Sequence, residues 1–344
     1  MTTTSSSARV GNAFRTVPPR SFLITLGMAV ALLVAAGFTL TTGDFAVPVG
    51  DVVTAVVGQA PPAAEFVVNT LRLPRLLVAI LAGAGLGVAG AVMQSLSRNP
   101  LGSPDMIGFS MGAATGGIAA ILLTASGTVG TSIGAVVGGF VTALVILLLV
   151  GRHGLNGYRL VLVGVGISTV LMAVNGYLLT RAILGDAQRA IAWQVGNLSG
   201  RNWEHVTLLA IAVAVLVPLV LAFNRRMSML ELGDDTATAL GVGVLATRLV
   251  PLLASIGLVA AAISMAGPIP FVALAGPHLA RRLTRHPGPN VLPAAMMGAL
   301  LTVASDFAAQ HALPVQLPVG IVTSVIGGVY LVALLIVQRR SRRA

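Results

Sequence analysis

Ten apolar runs recur along the chain, separated by short polar stretches. They lie near residues 22–41, 73–97, 104–124, 130–150, 159–180, 205–223, 246–266, 269–283, 291–310 and 318–337. Most approach about 20 residues, the helix length that crosses a hydrocarbon core of about 30 Å. The eighth is short and crowded by its neighbours. Gly267-Pro268-Ile269-Pro270 predicts a sharp reversal between it and the seventh. Many of the 40 glycines fall inside the runs, and the second reads AGAGLGVAGAV, with Gly83, Gly87 and Gly90 on close faces. Small residues let helix backbones approach, so these predict tight bundle packing. The expectation is an all-α polytopic membrane protein with ten spans.

Composition agrees with the pattern. Hydrophobic residues make up 56% of the 344 and charged residues only 9%, against about a quarter in soluble domains. Orientation follows from the arginines. With the N-terminus inside, one side holds Arg9, Arg15, Arg20, Arg98, Arg152, Arg159, Arg225, Arg226, Arg248, Arg281, Arg282, Arg285, Arg339, Arg340, Arg342 and Arg343. The other holds Arg72, Arg75, Arg181, Arg189 and Arg201. Positive residues concentrate in cytoplasmic loops, so both termini are expected in the cytoplasm. Residues 1–20, rich in Ser and Thr, are expected to be a disordered cytoplasmic tail, 21–338 the membrane domain with its first span retained, and 339–344 a basic cytoplasmic tail.

Composition also excludes chemistry. No lysine is present, so this chain cannot supply the lysine of a phosphate-binding P-loop. No cysteine is present, which excludes disulfides, thiolate metal sites and cysteine nucleophiles. The net charge of +11 is read as orientation and contact with anionic lipid headgroups, not as nucleic-acid binding. The runs carry almost no ionisable groups, and Asp306 in the ninth is the main candidate. An ion-coupled carrier usually needs intramembrane carboxylates or histidines. His153, His205, His278, His286 and His311 are scattered and read as structural or interfacial. Trp193 and Trp203 read as interfacial anchors.

Two polar features stand out. In LRLPRLL, Arg72 and Arg75 flank Pro74 at the start of the second run. Pro74 suits a first helical turn, but cations there oppose the helix dipole. Snorkelling at the interface is one reading; an acidic partner is the other. The second feature is RRMSMLELGDDTATALGV, residues 225–242. It is too polar to insert and predicts two short helices across the membrane face, punctuated by Gly233 and Gly241, with an acidic N-cap near Asp234 or Asp235. It reads either as a connector or as a platform for a cytoplasmic partner.

Six stretches together resemble one family. They are RLPR (72–75), GAVMQSLSRNPLGSPDMIGFSMGA (90–113), WQVGNLSG (193–200), MSMLELGDDTATALGV (227–242), AGPIPFVALAGPHLARRL (266–283) and LPVGIVTSVIGG (317–328). The chain is similar to permease subunits of binding-protein-dependent ABC importers for iron–siderophore complexes, haem and vitamin B12. It looks most like the ferric-enterobactin type.

The resemblance implies ten spans per subunit in a bacterial cell membrane. It implies a second permease chain, identical or homologous, around a central pathway. Two cytoplasmic ATPase chains would hold ATP and Mg, with no cofactor on this one, and an extracytoplasmic siderophore-binding protein would deliver cargo. Coupling to the ATPase would fall on Met227, Met229, Leu230, Gly233, Asp234, Leu240 and Gly241, and docking of the binding protein on Arg72 and Arg75. Cytoplasmic gates would map to Asn99 and Leu101, and to Gly157 and Tyr158. The family's third docking arginine is Gln310 here, and its Glu before LPVG is Gln316. The expected function is import of an Fe(III)–siderophore complex without enzymatic activity in this chain. Haem or a corrinoid is the alternative cargo, and an ion-coupled secondary carrier the alternative class.

Overall fold

A computed structural model describes residues 19–124, 127–150 and 157–341, which are helical with no strand among them. In chain order the helices are α1 (Pro19–Thr41), α2 (Val49–Val56), α3 (Pro62–Phe66), a π-helical segment (Val67–Arg72), α4 (Leu73–Ser97), α5 (Pro104–Ile107), α6 (Phe109–Thr124) and α7 (Thr128–Val150). They continue as α8 (Gly157–Arg181), α9 (Leu184–Gln194), α10 (Trp203–Leu230), α11 (Asp234–Ala239), α12 (Val244–Ala266), α13 (Val272–Thr284), α14 (Val291–His311) and α15 (Val319–Ser341). Seven helices among the described residues are long and apolar enough to cross a membrane, with α6 and part of α15 shorter but apolar. Each of the ten expected runs falls on a helix. The tail expected over 1–20 lies outside the described residues except for Pro19 and Arg20, which open α1, and α15 carries helix into the expected basic tail.

α4 is the hub. Its faces bury against α10, α12, α13 and α14, while α1 lies outside α14 and the α6–α7 pair lies on α12. Glycine makes this possible. A Cβ on Gly83 would lie 2.5 Å from Gly298 O, one on Gly87 2.2 Å from Ala294 O, and one on Gly90 1.7 Å from Ala273 O. Backbone therefore touches backbone along one seam, the contact small residues allow in a membrane. A second seam joins α6 to α7, where a Cβ on Gly116 would sit 2.0 Å from Gly134 O.

Several local expectations change. The second run does not start a helix: α3, the π segment and α4 form one continuous helix, Pro62–Ser97, of 36 residues. Pro74 cannot donate to the carbonyl four residues back. The preceding turn widens instead, with Leu73 N–H reaching Val68 O. Arg72 and Arg75 thus lie well past the helix N-terminus at Pro62, and the dipole cost, confined to the first turn, does not apply to them.

The third run is broken at Gly108, whose φ is 91°, so α5 and α6 are separate. The eighth starts late because Phe271 adopts φ 66°. Residues 227–242 form one short helix, not two, because Met227–Leu230 are the last turn of α10. Gly233, at φ 113°, occupies the N-cap of α11, a conformation a carboxylate residue disfavours, and Asp234 and Asp235 take the first turn. Trp193, expected as an interfacial anchor, is half-buried, with its ring packed on Gly117 and the core. Trp203 is half-exposed and donates its indole N–H to Asn69 O at 2.9 Å.

Gly90→Val is expected to lower stability in detergent by about 3 kcal/mol or more, the upper range of overpacking. Gly37→Ala on α1, where a Cβ meets nothing within 4 Å, leaves the melting temperature unchanged. Equal melting temperatures for both variants would contradict the seam.

Candidate functional site

Polar side chains gather at the two ends of α4, about 40 Å apart at 1.5 Å per residue between Arg72 and Arg98. At the first corner Arg75 grips Asp306 of α14 with a two-pronged fork, Nε to Oδ2 at 3.0 Å and Nη2 to Oδ1 at 2.8 Å. The carboxylate is 2% exposed and the arginine 15%. Gln310, one turn along α14, donates to the same Oδ2 at 2.8 Å. Arg75 also reaches Ser199 Oγ at 3.4 Å. Asp306 is thus the buried anchor of a cross-bundle ion pair, and the position expected to hold a third arginine carries a neutral donor to it.

Arg72 points the other way. It donates to Leu40 O at 2.7 Å and Phe45 O at 2.6 Å, so it staples the turn after α1. Both arginines therefore have partners within the chain. Around them a cleft of ≈ 250 Å³ is lined by Thr42, Asp44, Arg72, Arg75, Gln310, His311 and Gln316. The two glutamines flagged in the sequence share this cleft with the two arginines.

Three more of the motif stretches meet beside this corner through their backbones. Asn197 N–H donates to Ala266 O at 2.9 Å and Gly320 N–H to Gly196 O at 3.2 Å. A Cβ on Gly196 would lie 2.1 Å from Pro268 O. Arg201 clamps the turn by donating twice to Asn197 O. Burial there pushes its guanidinium down to about 10.

The opposite corner forms where α4, α10, α11 and α12 end or begin. Met227 and Leu230 are buried, and Leu230 packs with Ala237, Val242, Leu96 and Met229. Leu232 and Leu240 project outward, 66% and 58% exposed. Gly233 and Gly241, at φ 113° and 79°, bend the chain on either side of α11. Asp234 receives Arg248 Nη2 at 2.7 and 2.8 Å and Arg98 Nη2 at 2.8 Å. Of the expected apolar coupling residues, Met227 and Leu230 are thus buried in the chain's own core, Met229 is half-buried and Leu240 is exposed.

The expected gates divide. Asn99 Oδ1 accepts from Leu101 N–H at 2.9 Å, and Asn99 O accepts from Gly102 N–H at 2.9 Å, which makes a tight turn with Leu101 exposed. Gly157 and Tyr158 open α8, and the surroundings of both lie outside what the structure describes. Sequence reading missed Arg98, Arg248, Ser95, Glu231 and Asp105. Asp105 accepts from the Ser110 hydroxyl and the Phe271 backbone N–H. Its carboxylate inside an expected span was a signal equal to that of Asp306.

The FecCD transport family matches residues 29–337. The ferric enterobactin transport system permease protein FepG of Escherichia coli strain K12 is 43% identical, covering 94% of this chain and 98% of that protein. The Fe(3+)-citrate import system permease protein YfmE of Bacillus subtilis strain 168 is 34% identical, over 94% and 97%. A solved metal-chelate type ABC transporter, captured inward-facing, superposes with a TM-score of 0.82 at 28% identity, over 91% of this chain and 98% of that one.

Breaking a buried ion pair costs more than replacing it. Arg75→Met is expected to destabilise the purified protein by about 3 kcal/mol, and adding Asp306→Leu to recover most of that loss. Thermal melts of the single and double variants test this; additive losses would remove the pair's structural role.

Proposed function

This chain belongs to the FecCD transport family, and from that premise we propose that it is the permease subunit of an ATP-binding-cassette importer for ferric siderophores. The observation that carries the reading is the end-to-end similarity to FepG, 43% over 94% of the chain. The protein sits in the bacterial inner membrane. In this reading ten helices cross it, the seven long ones together with α6, α13 and α15, and both termini lie in the cytoplasm. Arginine counting supports that orientation, since only Arg72, Arg75, Arg181, Arg189 and Arg201 fall outside. The Arg72 corner then faces the binding protein and the Asp234 corner the cytoplasm.

The division of labour follows. ATP and Mg are held by two ATPase chains, and a second permease chain completes the pathway. The binding protein docks over the cleft of Arg72, Gln310, His311 and Gln316. Arg72 makes no salt bridge among the described residues, its nearest carboxylate charge being Asp44 in the same cleft, so it is the cation we assign to an acidic partner. Arg75, spent on Asp306, holds that corner in shape. Docking with fewer arginines suits Gln310 in place of the family's third. Inside, α11 forms the coupling platform. Its outward Leu232 and Leu240 enter the partner's groove, as apolar anchors of a surface helix do.

Reconstitution tests the whole reading. Proteoliposomes carrying this permease, its ATPase and its binding protein are expected to take up radiolabelled ferric enterobactin only with ATP, and the chain alone to hydrolyse none. Uptake that persists without the ATPase would refute it. Arg72→Gln is expected to weaken binding-protein docking by roughly 1 kcal/mol, with the loss shrinking at high salt because exposed pairs are screened. Titration at two salt concentrations measures it. Leu240→Asp is expected to lower ATPase affinity with melting temperature unchanged, whereas Leu230→Asp lowers both. Equal behaviour of the two would contradict the assignment of outward and inward faces.

A further inference from the structure

Arg98 stands where three helix ends meet. It is the C-cap of α4, held at φ 50° and ψ 31° with its N–H on Gln94 O and Ser95 O. Glycine is the usual residue in that left-handed position, so an arginine there points to a demand made by its side chain. Nη2 donates to Leu230 O, the last residue of α10, at 2.7 Å and to Asp234, the first residue of α11, at 2.8 Å. A cation is favoured at helix C-termini and an anion at an N-terminus, and the three ends supply all of these.

Other contacts stiffen the junction. Ser95 donates to Glu231 Oε1 at 2.8 Å, and Leu96 packs on Leu230, Ala237 and Val242. Arg248, from α12, aims the Asp234 carboxylate with two bonds to it. Arg98 is also the residue before the Asn99–Gly102 turn. Beyond that turn the chain is pinned again, at Asp105, to the Phe271 N–H that starts α13. The turn is held on its near side to α4 by the Arg98 and Asn99 backbone bonds to Ser95 O and Gln94 O, and on its far side to the start of α13 at Asp105, while the Arg98 side chain ties its first residue to α11. A shift of α11 relative to α13 transmitted by that side chain falls on residues 98–104, which include Asn99–Leu101.

We propose that Arg98 is the positioning residue through which α11 moves the Asn99–Leu101 turn, with Asp234 as its handle. This rests on the reading of α11 as the coupling platform. Arg248 holds the same carboxylate from α12 and has no link to the turn, so the two arginines have different effects. Losing Arg98 removes the side-chain link from Asp234 to the residue that opens the turn and leaves only the Ser95 and Leu96 contacts with α4; losing Arg248 leaves that link in place.

The experiment uses the assembled transporter in liposomes and reads ATP hydrolysed per ferric enterobactin moved. Arg98→Gln is expected to keep ATPase association while the ratio rises at least about fivefold, the low end of an allosteric coupling. Arg248→Gln, which leaves the Arg98–Asp234 bond in place, is expected to raise the ratio clearly less than Arg98→Gln does. An unchanged ratio for Arg98→Gln, or an equal rise for both, would overturn the proposal. The chain has no cysteine, so Arg98→Cys with Asp234→Cys gives a unique pair for a bis-maleimide linker. Bridging is expected to restore the parent ratio, and a ratio that stays high counts against the role even if Arg98→Gln assembles poorly. Leu240→Asp, run alongside, separates the failures. Uncoupling there with a normal Arg98→Gln sinks the role of Arg98 alone. Unaffected transport in Leu240→Asp removes the platform reading, and this one with it.

Discussion

The bundle depends on backbone contact between α4 and its neighbours. Hydrocarbon gives no hydrophobic drive for one apolar helix to seek another, so association rests on close packing. Gly83 and Gly87 against Gly298 and Ala294, and Gly90 against Ala273, supply it. Because α4 reaches both faces, this single seam also sets where its two ends stand. One end lays Arg75 beside Asp306 of α14. The other lays Arg98 beside Asp234. Distance between the two corners is thus a property of one stiff rod gripped along its length.

Polar chemistry is pushed to the ends of that rod, and its character differs between them. At the first corner the ion pair is nearly dry, and Gln310 fills the remaining valence of the carboxylate. Such a pair specifies an arrangement more than it stabilises one. At the second corner Asp234 and Arg98 are each close to half-exposed. Exposed pairs are weak singly, and a link of that strength can be remade as helices shift. A rigid corner at one end of α4 and a yielding joint at the other are what the proposed docking and coupling roles require.

Much of this was legible in the sequence, and the misses have physical causes. Apolar runs located the helices, because membrane length is a one-dimensional constraint. AGAGLGVAGAV exposed the packing seam for the same reason, since small residues at helical spacing have few other uses. The partner of Arg75 was not legible: Asp306 lies 231 residues away, and charge alone names no partner. Met227 and Leu230 shared one pattern with Leu240. Only the third dimension showed that the first two close the core while the last faces out, because the helix end at Leu230 leaves no periodic mark. Trp193 looked like a belt residue because aromatic position along the chain does not reveal that Gly117 opens a slot for its ring.

The π-helical segment at Val67–Arg72 has a bearing on how this helix could have arisen and how it can change. A π turn is one residue more than an α turn needs. Removing one residue from it would leave a regular helix and would rotate everything before it by about 100°. The small cluster of Val47, Val52, Ala55, Ala64 and Val68 would turn as a body, while the bundle beyond Pro74 kept its register. The segment thus acts as a phase adjuster between two separately packed bodies. Insertions and deletions in the cap formed by α2 and α3 can be absorbed there without turning the glycine seam away from α14.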